Sequence, residues 1–315
     1  MPTDHSCGVP GFNVRWTGGE EHWTTRGNGE IELFLWHKPA AAGVPFAGTI
    51  LFVHGSSMAS QPTFDLSVPG RPDSSAMDWF RARGFDTWTM DNEGYGRSSK
   101  HRDINFDSGD GAEDLAAGSE YILQRARTKN LMVYGISSGA LKGALFAQRH
   151  PERVARLALD AFVWTGAGSP TLAKRRERLD EWTSKNRRPI DKAFVHSIFN
   201  RDHPGTAEDR SIEAFAQAIL TLDNSMPTGT YVDMCSKLPL VDPQQLNVPA
   251  IVMRGEYDGI ASFDDLIDFF KLLPHADKQF TVMAGISHAS FQQKNYYNVY
   301  HILHAFFSEP AQVYP

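Results

Sequence analysis

The pentapeptide at 135–139, which reads GISSG, constrains the fold more than any other feature of the chain. An apolar run at 131–134 precedes it, and a segment rich in glycine and alanine follows at 139–144. This pattern predicts a buried strand, a sharp turn and a helix, with Ser137 at the apex of the turn. Glycine is needed on both sides because a side chain there would collide with the adjacent turn. The dipole at the helix N-terminus would stabilise an oxyanion that forms at this serine. We therefore predict that Ser137 is the nucleophile.

The same kind of apolar run recurs along the chain. The runs at 49–53 and 250–253 are rich in β-branched or aromatic residues and end at turn signals. Such runs are typical of strands that are buried on both faces of a parallel sheet. Apolar residues at helical spacing follow at 263–270 and 299–306. Strands that alternate with such helices predict an α/β fold.

The N-terminal part of the sequence has a different pattern. Asn28-Gly29 stands before an alternating run at 31–36, and Asn-Gly is a hairpin signal. The sheet is therefore expected to open with antiparallel strands and to continue parallel. The predicted strands lie near 31–38, 49–54, 86–91, 130–136, 156–161, 249–255 and 279–284, and the predicted helices near 75–83, 112–127, 138–149, 262–273 and 293–307.

Residues 163–245 interrupt the alternation. The segment is long, has no clear buried strand and holds helical patches at 172–182 and 212–222. We therefore predict a core from 1–162 and 246–315, with 163–245 inserted as a helical cap over the site. A cap above a serine turn must leave a pocket, and such pockets are mostly apolar. At least two bulky residues of the cap are expected to line it, from the set Trp164, Trp182, Phe194, Phe199, Phe215 and Met226.

A basic run lies in the first helical patch of this segment. It consists of Lys174, Arg175, Arg176 and Arg178. A run of this kind on a helix is most often a solvated face, and that is the preferred interpretation here. The alternative is the capture of a substrate carboxylate.

Candidates for an acid and a base follow later strands. Asp258 comes just after the strand at 250–253, and His288 lies in the loop after the strand at 280–283. A carboxylate and a histidine at strand ends can reach a serine at the same edge of the sheet and activate it. Asp160, at the end of an earlier strand, is a second candidate for the acid. Its other interpretation is a buried structural aspartate, and Asp258 is preferred.

Two more motifs lie at the ends of earlier strands. The sequence VHGS at 53–56 resembles the oxyanion loop of the α/β-hydrolase superfamily, and DNEGYGRS at 91–98 resembles its D-x-x-G-x-G-x-S turn. The serine, acid and histidine named above also occur in that superfamily's order. The chain is thus similar to the α/β-hydrolases over 49–162 and 248–307. These motifs are specific for the superfamily but not for a substrate.

The resemblance implies an α/β-hydrolase fold, in which a mostly parallel sheet carries helices on both faces and an inserted helical cap. It also implies roles: Ser137 attacks a carbonyl, His288 transfers the proton, and Asp258 orients His288. The backbone N–H groups of Ser138 and Ser56 are the implied oxyanion donors.

Glu93 departs from the family pattern, because many members carry arginine at this position. The buried ion pair that is usual for this turn is therefore in doubt. A structural role for Glu93 within the turn is preferred over a side chain that faces the pocket.

The expected reaction is hydrolysis of a carboxylic ester of a small, largely apolar substrate through an acyl-enzyme, with an amide or lactone as the next choice. A serine at the turn disfavours dehalogenase and epoxide hydrolase chemistry, which need a carboxylate there. Two alternatives stay open. One is a C–C bond hydrolase of diketone-like substrates that uses the same three residues, and the other is a non-catalytic, ligand-binding member of the fold.

No cofactor or metal is expected. The sequence has no GxxxxGK[ST] loop and no GxGxxG after a strand, so nucleotide cofactors are not implied. His301 and His304 share one helix face, but no third ligand accompanies them.

Composition limits the partners and the compartment. The formal net charge of −6 argues against nucleic acid, and no stretch approaches the ~20 apolar residues that span a bilayer. A small-molecule substrate is the expected partner, and the oligomeric state, a homodimer included, stays open. Residues 1–10 lack the pattern of a signal peptide, and Cys7 and Cys235 do not suggest a disulfide framework. A cytoplasmic location is therefore expected.

Overall fold

A central sheet organises the computed structural model, which describes Trp16, residues 18–310 and Val313. In chain order the strands of this described part are β1 (Glu20–Arg26), β2 (Ile31–Lys38), β3 (Gly48–Val53), β4 (Phe85–Met90), β5 (Leu131–Ile136), β6 (Val154–Asp160), β7 (Arg187–Pro189), β8 (Ser225–Pro227), β9 (Ala250–Gly255) and β10 (Lys278–Met283). Across the sheet the order is β1-β2-β4-β3-β5-β6-β9-β10, and β7 pairs only with β8.

The sheet begins antiparallel and continues parallel, which confirms the prediction. β1 pairs with β2, and β2 with β4, in antiparallel register, whereas every later neighbour is parallel. Asn28 and Gly29 both have a positive φ, of 57° and 92°, in the turn between β1 and β2. This conformation is the reason that Asn-Gly is a hairpin signal.

Helices cover both faces of the sheet. In the described residues they are α1 (Ser60–Phe64), α2 (Ala76–Arg81), α3 (Ser108–Ala126), α4 (Ser138–Arg149), α5 (Pro170–Arg176), α6 (Leu179–Thr183), α7 (Lys192–Asn200), α8 (Asp209–Leu222), α9 (Gly229–Ser236), α10 (Phe263–Leu272) and α11 (Tyr296–Phe307). α3, α4 and α10 pack on one face, and α2 and α11 pack on the other.

The central strand β3 shows how the core is divided. Leu51 and Val53 belong to the apolar cluster on one face, while Ile50 and Phe52 belong to the cluster on the other. All four side chains are buried. Side chains alternate between faces along a strand, so a continuous apolar run gives a strand that is covered on both sides. The predicted α/β class with a mostly parallel sheet is confirmed.

Two element boundaries differ from the predictions for identifiable reasons. α3 starts at Ser108 rather than at 112, because Asp107 forms a capping box with Asp110. The helical patch predicted at 172–182 is two helices, α5 and α6. The Arg175 carbonyl accepts the backbone N–H of Arg178, three residues on rather than four, at 3.0 Å, so the α-helical pattern ends here. The same carbonyl also accepts the indole N–H of Trp182 at 3.2 Å.

We call residues 163–245 the insertion. It contains α5 to α9 and the short β7–β8 pair, whose three-residue strands are too short to give a periodic signal. Phe215 and Met226 of the insertion share an apolar cluster with Met58 and Tyr95, which follow β3 and β4. The insertion therefore packs onto the loops at the carboxyl ends of the central strands. Its bounds as a separate cap stay a prediction.

Cys7 and residues 1–10 lie outside the described residues. Among the helices that are described, none has both the length and the apolar composition needed to cross a membrane.

Candidate active site

Ser137 sits in a sterically fixed turn between β5 and α4. Its φ and ψ of 58° and −124° lie outside the regions that serine normally adopts. A Cβ on Gly135 would stand 2.3 Å from the carbonyl oxygen of Gly139, and a Cβ on Gly139 would stand 2.2 Å from that of Val53. Both glycines are therefore required by close backbone contacts, as the pentapeptide predicts.

Ser137, His288 and Asp258 form a continuous hydrogen-bonded chain. The Ser137 Oγ lies 2.9 Å from His288 Nε2, and His288 Nδ1 lies 3.0 Å from each carboxylate oxygen of Asp258. All three side chains are buried. An ionised carboxylate only accepts hydrogen bonds, so Nδ1 is the donor and Nε2 is left to accept the serine proton.

The environment of Asp258 keeps it ionised. Its Oδ1 accepts the backbone N–H groups of Ile260 at 2.8 Å and of Ala261 at 3.0 Å. Burial alone would raise the pKa of Asp258, but His288 and these N–H groups lower it to about 2. The carboxylate is thus available to hold the imidazole in one tautomer.

Asp160, the second candidate acid, is placed differently. It ends β6, is fully buried and accepts the hydroxyl of Tyr134 at 2.6 Å. Burial raises the pKa of Asp160 to about 7, against the effect of the Tyr134 hydrogen bond. Within the described part of the chain, no hydrogen bond joins the Asp160 side chain to His288. The geometry therefore places Asp258, and not Asp160, against the histidine.

The two predicted oxyanion donors adjoin the turn. Ser138 is the first residue of α4, and Ser56 lies in the loop after β3. A Cβ on Gly55 would stand 3.3 Å from the Ile136 carbonyl oxygen and 3.4 Å from the Ser137 Cβ, so this loop approaches the turn closely. The role of Ser56 and Ser138 as oxyanion donors stays a prediction.

Glu93 forms ion pairs with two arginines at the edge of the core. The carboxylate is buried and accepts Arg102 Nε and Nη2, both at 2.6 Å, and Arg26 Nη2 at 2.8 Å. Arg26 also pairs with Asp114 at 2.6 Å. The turn therefore does carry ion pairs, in which the buried acidic partner is at this position and the arginines are partly exposed. This agrees with the structural role that was preferred for Glu93.

A small cavity of about 20 Å³, the elbow cavity, lies at Ser137. Its walls are Ser56, Ser57, Met58, Ser137, Arg175, Ile198, Arg201, Tyr231 and His288. A larger cavity of about 530 Å³, the outer cavity, shares Arg175, Ile198, Arg201 and Tyr231 with it. The two cavities are therefore adjacent, and the outer one has the volume of a small-molecule site.

Apart from Gly259, all residues that line the outer cavity come from the insertion. Trp182 and Phe194 are the two of the six bulky residues singled out in the sequence that line it. Phe199, Phe215 and Met226 lie instead in the apolar cluster of the insertion. The remaining member, Trp164, donates its indole N–H to the carbonyl of Val241 at 3.1 Å.

The lining is more cationic than the sequence suggested. Lys174, Arg175 and Arg178 of the basic run line the outer cavity, together with Arg188 and Arg201. Lys174 and Arg178 are exposed, so the preferred interpretation of the run as a solvated face holds for them. Arg175 departs from it, because it is only partly exposed and borders both cavities. The sequence gives no signal for Arg188, Arg201 or Tyr231, because they lie in β7, directly after α7 and in α9, and no local motif marks these positions.

Asp202 brings a second carboxylate close to Asp258 and His288. In the described residues, the ligand atoms of Asp202, Asp258 and His288 lie within 4.8 Å of one another. Asp202 also accepts Arg201 Nε and Nη2, both at 2.8 Å. Protein hydrogen bonds thus account for the arrangement. His301 and His304 both pack edge-on against Trp79.

The sheet, the strained serine turn and the Ser–His–Asp chain are together those of an α/β-hydrolase. The family model for serine aminopeptidase, S33, matches residues 70–295, which include all three of these side chains. The chain therefore belongs to this family of the α/β-hydrolase superfamily. No curated protein sequence matches the chain significantly.

Solved structures agree with this assignment of the fold. A hydrolase from Pseudomonas aeruginosa PA01 has a TM-score of 0.67 at 16% identity, and the match covers 93% of this chain and 100% of that one. A soluble variant of the Saccharomyces cerevisiae monoglyceride lipase has a TM-score of 0.67 at 17% identity, with 96% and 98% covered. A thermophilic esterase from Thermogutta terrifontis has a TM-score of 0.64 at 20% identity, with 92% and 98% covered.

Proposed function

We propose that this hydrolase cleaves a carboxylic ester of a small molecule through an acyl-enzyme on Ser137. The observation that carries the proposal is the hydrogen-bonded chain from the Ser137 Oγ through His288 to Asp258, with contacts of 2.9 Å and 3.0 Å. This chain supplies a nucleophile, a base in the right tautomer and a carboxylate that stabilises the imidazolium.

The reaction would proceed in two halves. In the first, the Ser137 Oγ attacks the ester carbonyl carbon while its proton passes to His288 Nε2. The oxyanion then accepts the N–H groups of Ser138 and Ser56, and its collapse expels the alcohol, which takes the proton from His288. In the second half a water molecule repeats the sequence at the acyl-enzyme, releases the acid and restores Ser137.

The adjacent cavities support a small substrate. The outer cavity offers about 530 Å³ and an apolar wall that includes Trp182, Phe194 and Ile198. The named activities of two structural relatives, an esterase and a monoglyceride lipase, favour an ester over other bonds. The family name favours an amide as the next choice. We further propose that the insertion acts as the cap that forms this cavity.

The test is turnover of short-chain p-nitrophenyl esters, with a burst of p-nitrophenol equal to the enzyme concentration. Ser137→Ala should lower kcat by ~10³-fold or more, because the three residues act as a unit. Ser236→Ala, at an exposed serine that ends α9, is the matched control and should keep full activity. A fluorophosphonate should label Ser137 only.

Other outcomes would replace the ester assignment. A preference of a hundredfold or more in kcat/KM for a vinylogous 1,5-diketone over the esters would establish a C–C bond hydrolase. Faster cleavage of an aminoacyl p-nitroanilide would establish an amidase. Tight ligand binding without turnover of any of these substrates would establish a binding protein.

A further inference from the structure

A buried arginine stands beside the loop that follows β3. Arg188 of β7 is only 4% exposed, and its Nη2 donates to the Ser57 hydroxyl at 2.8 Å and to the Ser56 carbonyl at 3.3 Å. Its guanidinium carbon lies 4.3 Å from the centre of the Tyr231 ring and 4.5 Å from that of Phe194. A fixed positive charge is thus held next to the elbow cavity.

A second arginine reaches the same place from another element. Arg175, in the last turn of α5, has its guanidinium carbon 4.2 Å from the centre of the Tyr231 ring. It lines both the elbow cavity, with Ser137, and the outer cavity. The ring of Tyr231 therefore contacts two guanidinium groups, and cation–π contacts of this kind position the charges without neutralising them.

The charges that line the outer cavity are unequal. Its two carboxylates are already paired, Asp202 with Arg201 at 2.8 Å and Glu181 with Arg178 at 2.7 Å. In the part of the chain that the structure describes, no carboxylate lies within ion-pairing distance of Arg175, Arg188 or the third cation, Lys174. Positive charge without a counter-ion therefore remains at this cavity.

The two arginines also have unused hydrogen-bond capacity. Among the described residues, Arg188 Nε and Arg175 Nη1 are buried atoms without a hydrogen-bond partner. A buried donor that lacks a partner costs free energy, and a buried charge without a counter-ion costs more. A fold that keeps such groups beside a reactive serine favours a role for them in binding an anion.

We propose that the substrate is an ester that also carries a carboxylate, for which Arg175 and Arg188 are the counter-ions. This inference rests on the proposed ester hydrolysis. Guanidinium groups match the geometry of a carboxylate, which can accept a hydrogen bond on each oxygen. The apolar wall of Trp182, Phe194 and Ile198 would then contact the carbon chain between the carboxylate and the ester.

The test compares substrates that differ only in this charge. Mono-p-nitrophenyl glutarate carries the carboxylate on the acyl part, and methyl p-nitrophenyl glutarate is its neutral form. A second pair, 4-acetoxybenzoate and methyl 4-acetoxybenzoate, carries it on the leaving group. One of the two pairs should show a preference in kcat/KM for the charged member of ~10-fold or more, since hydrogen bonds to charged groups have this strength. The pair that responds identifies the part of the ester that faces the arginines.

Variants separate the charge from the packing. Arg188→Met and Arg175→Met should each abolish most of the preference for the charged ester, and Arg188→Lys should restore part of it. Arg149→Met is the matched control, because the Arg149 side chain is 41% exposed and pairs with Glu113 at the surface. The control should keep the full preference.

A binding measurement does not depend on turnover. Glutarate should bind the Ser137→Ala variant in a calorimetric titration, and the double variant with Arg188→Met should bind it ~10-fold or more weakly. Equal kcat/KM for both members of both ester pairs, without glutarate binding, would overturn the anion site and leave ester hydrolysis standing. Glutarate binding without hydrolysis of any ester would keep the anion site and overturn the proposed reaction.

Discussion

Asp160 and Asp258 are both buried near Ser137, yet the structure gives them opposite protonation behaviour. The pKa of Asp160 is raised by burial to about 7, whereas the ordinary pKa of an aspartate in an unfolded chain is close to 3.8. Below about pH 4 the Asp160 carboxyl is protonated in both the folded and the unfolded chain, so it does not change the free energy of unfolding. As the pH rises from 4 toward 7 the unfolded chain loses this proton while the folded protein keeps it, and the free energy of unfolding falls. Above about pH 7 the carboxyl is ionised in both states, and the decrease is complete.

The change Asp160→Asn removes this titration. Between the unfolded and folded pKa values, each pH unit changes the free energy of unfolding by about 1.4 kcal/mol. Of the range from pH 5 to pH 8, only the part below the folded pKa of about 7 contributes to this change. The free energy of unfolding of Asp160→Asn relative to that of the unchanged protein should therefore rise by about 2 to 3 kcal/mol between pH 5 and pH 8. At any single pH, the difference in stability between the two proteins also includes the effect of the new amide group. Only the change of that difference with pH therefore reports the titration of Asp160.

Guanidinium chloride unfolding at the two pH values measures this quantity. Asp268→Asn is the matched control, because the Asp268 side chain is 63% exposed, and its stability difference should stay constant with pH. Groups that are common to both proteins cancel in the comparison. A difference for Asp160→Asn that does not change between pH 5 and pH 8 would refute the assignment of a proton to buried Asp160.

Three further changes test the site. Asp258→Asn should lower kcat for p-nitrophenyl esters by up to ~10⁴-fold, because the imidazole would lose its tautomer, and a loss below tenfold would contradict its role. Gly135→Ala should destabilise the protein by ~1–3 kcal/mol or more in thermal unfolding. Gly143→Ala, whose Cβ would meet Val133 at an ordinary 3.5 Å, should be neutral, and equal effects would refute the steric argument. Tyr231→Phe should keep the preference for the charged member of the responding ester pair constant as the pH rises through 7, where the unchanged protein should lose part of this preference.

The reason for the last prediction is the environment of the Tyr231 hydroxyl. Burial would raise the pKa of Tyr231, but the positive charges of Arg175, Arg188 and Arg201 and the hydroxyl of Ser57 lower it to about 7. Above this pH the phenolate would neutralise part of the charge that attracts the substrate carboxylate. The ratio of kcat/KM for the charged and neutral esters isolates this effect, because changes in the chemical step that are common to both esters cancel in the ratio.

The core was predictable because its signals are local and redundant. A strand such as β3, which is buried on both faces, must be a continuous apolar run, and the turn at Ser137 must have glycine where another backbone stands within 2.4 Å of the position of a Cβ. Element ends were less predictable, because they depend on single hydrogen bonds. The capping box at Asp107 is one example, and the hydrogen bond from the Arg178 N–H to the carbonyl of Arg175, which closes α5, is another.

The substrate cavity was not predictable for a different reason. Its cations come from α5, from the residue that precedes α6, from β7 and from the residue that follows α7, so no single window of sequence contains all of them. Arg175 alone of the basic run borders the elbow cavity, and it meets Tyr231 there because α5 packs directly against α9. This contact between two helices of the insertion has no local signal in the sequence. The reacting groups thus stand at the ends of core strands, where the sequence reveals them. The positive charges that we propose select the substrate are brought together only by the packing of short elements in the insertion.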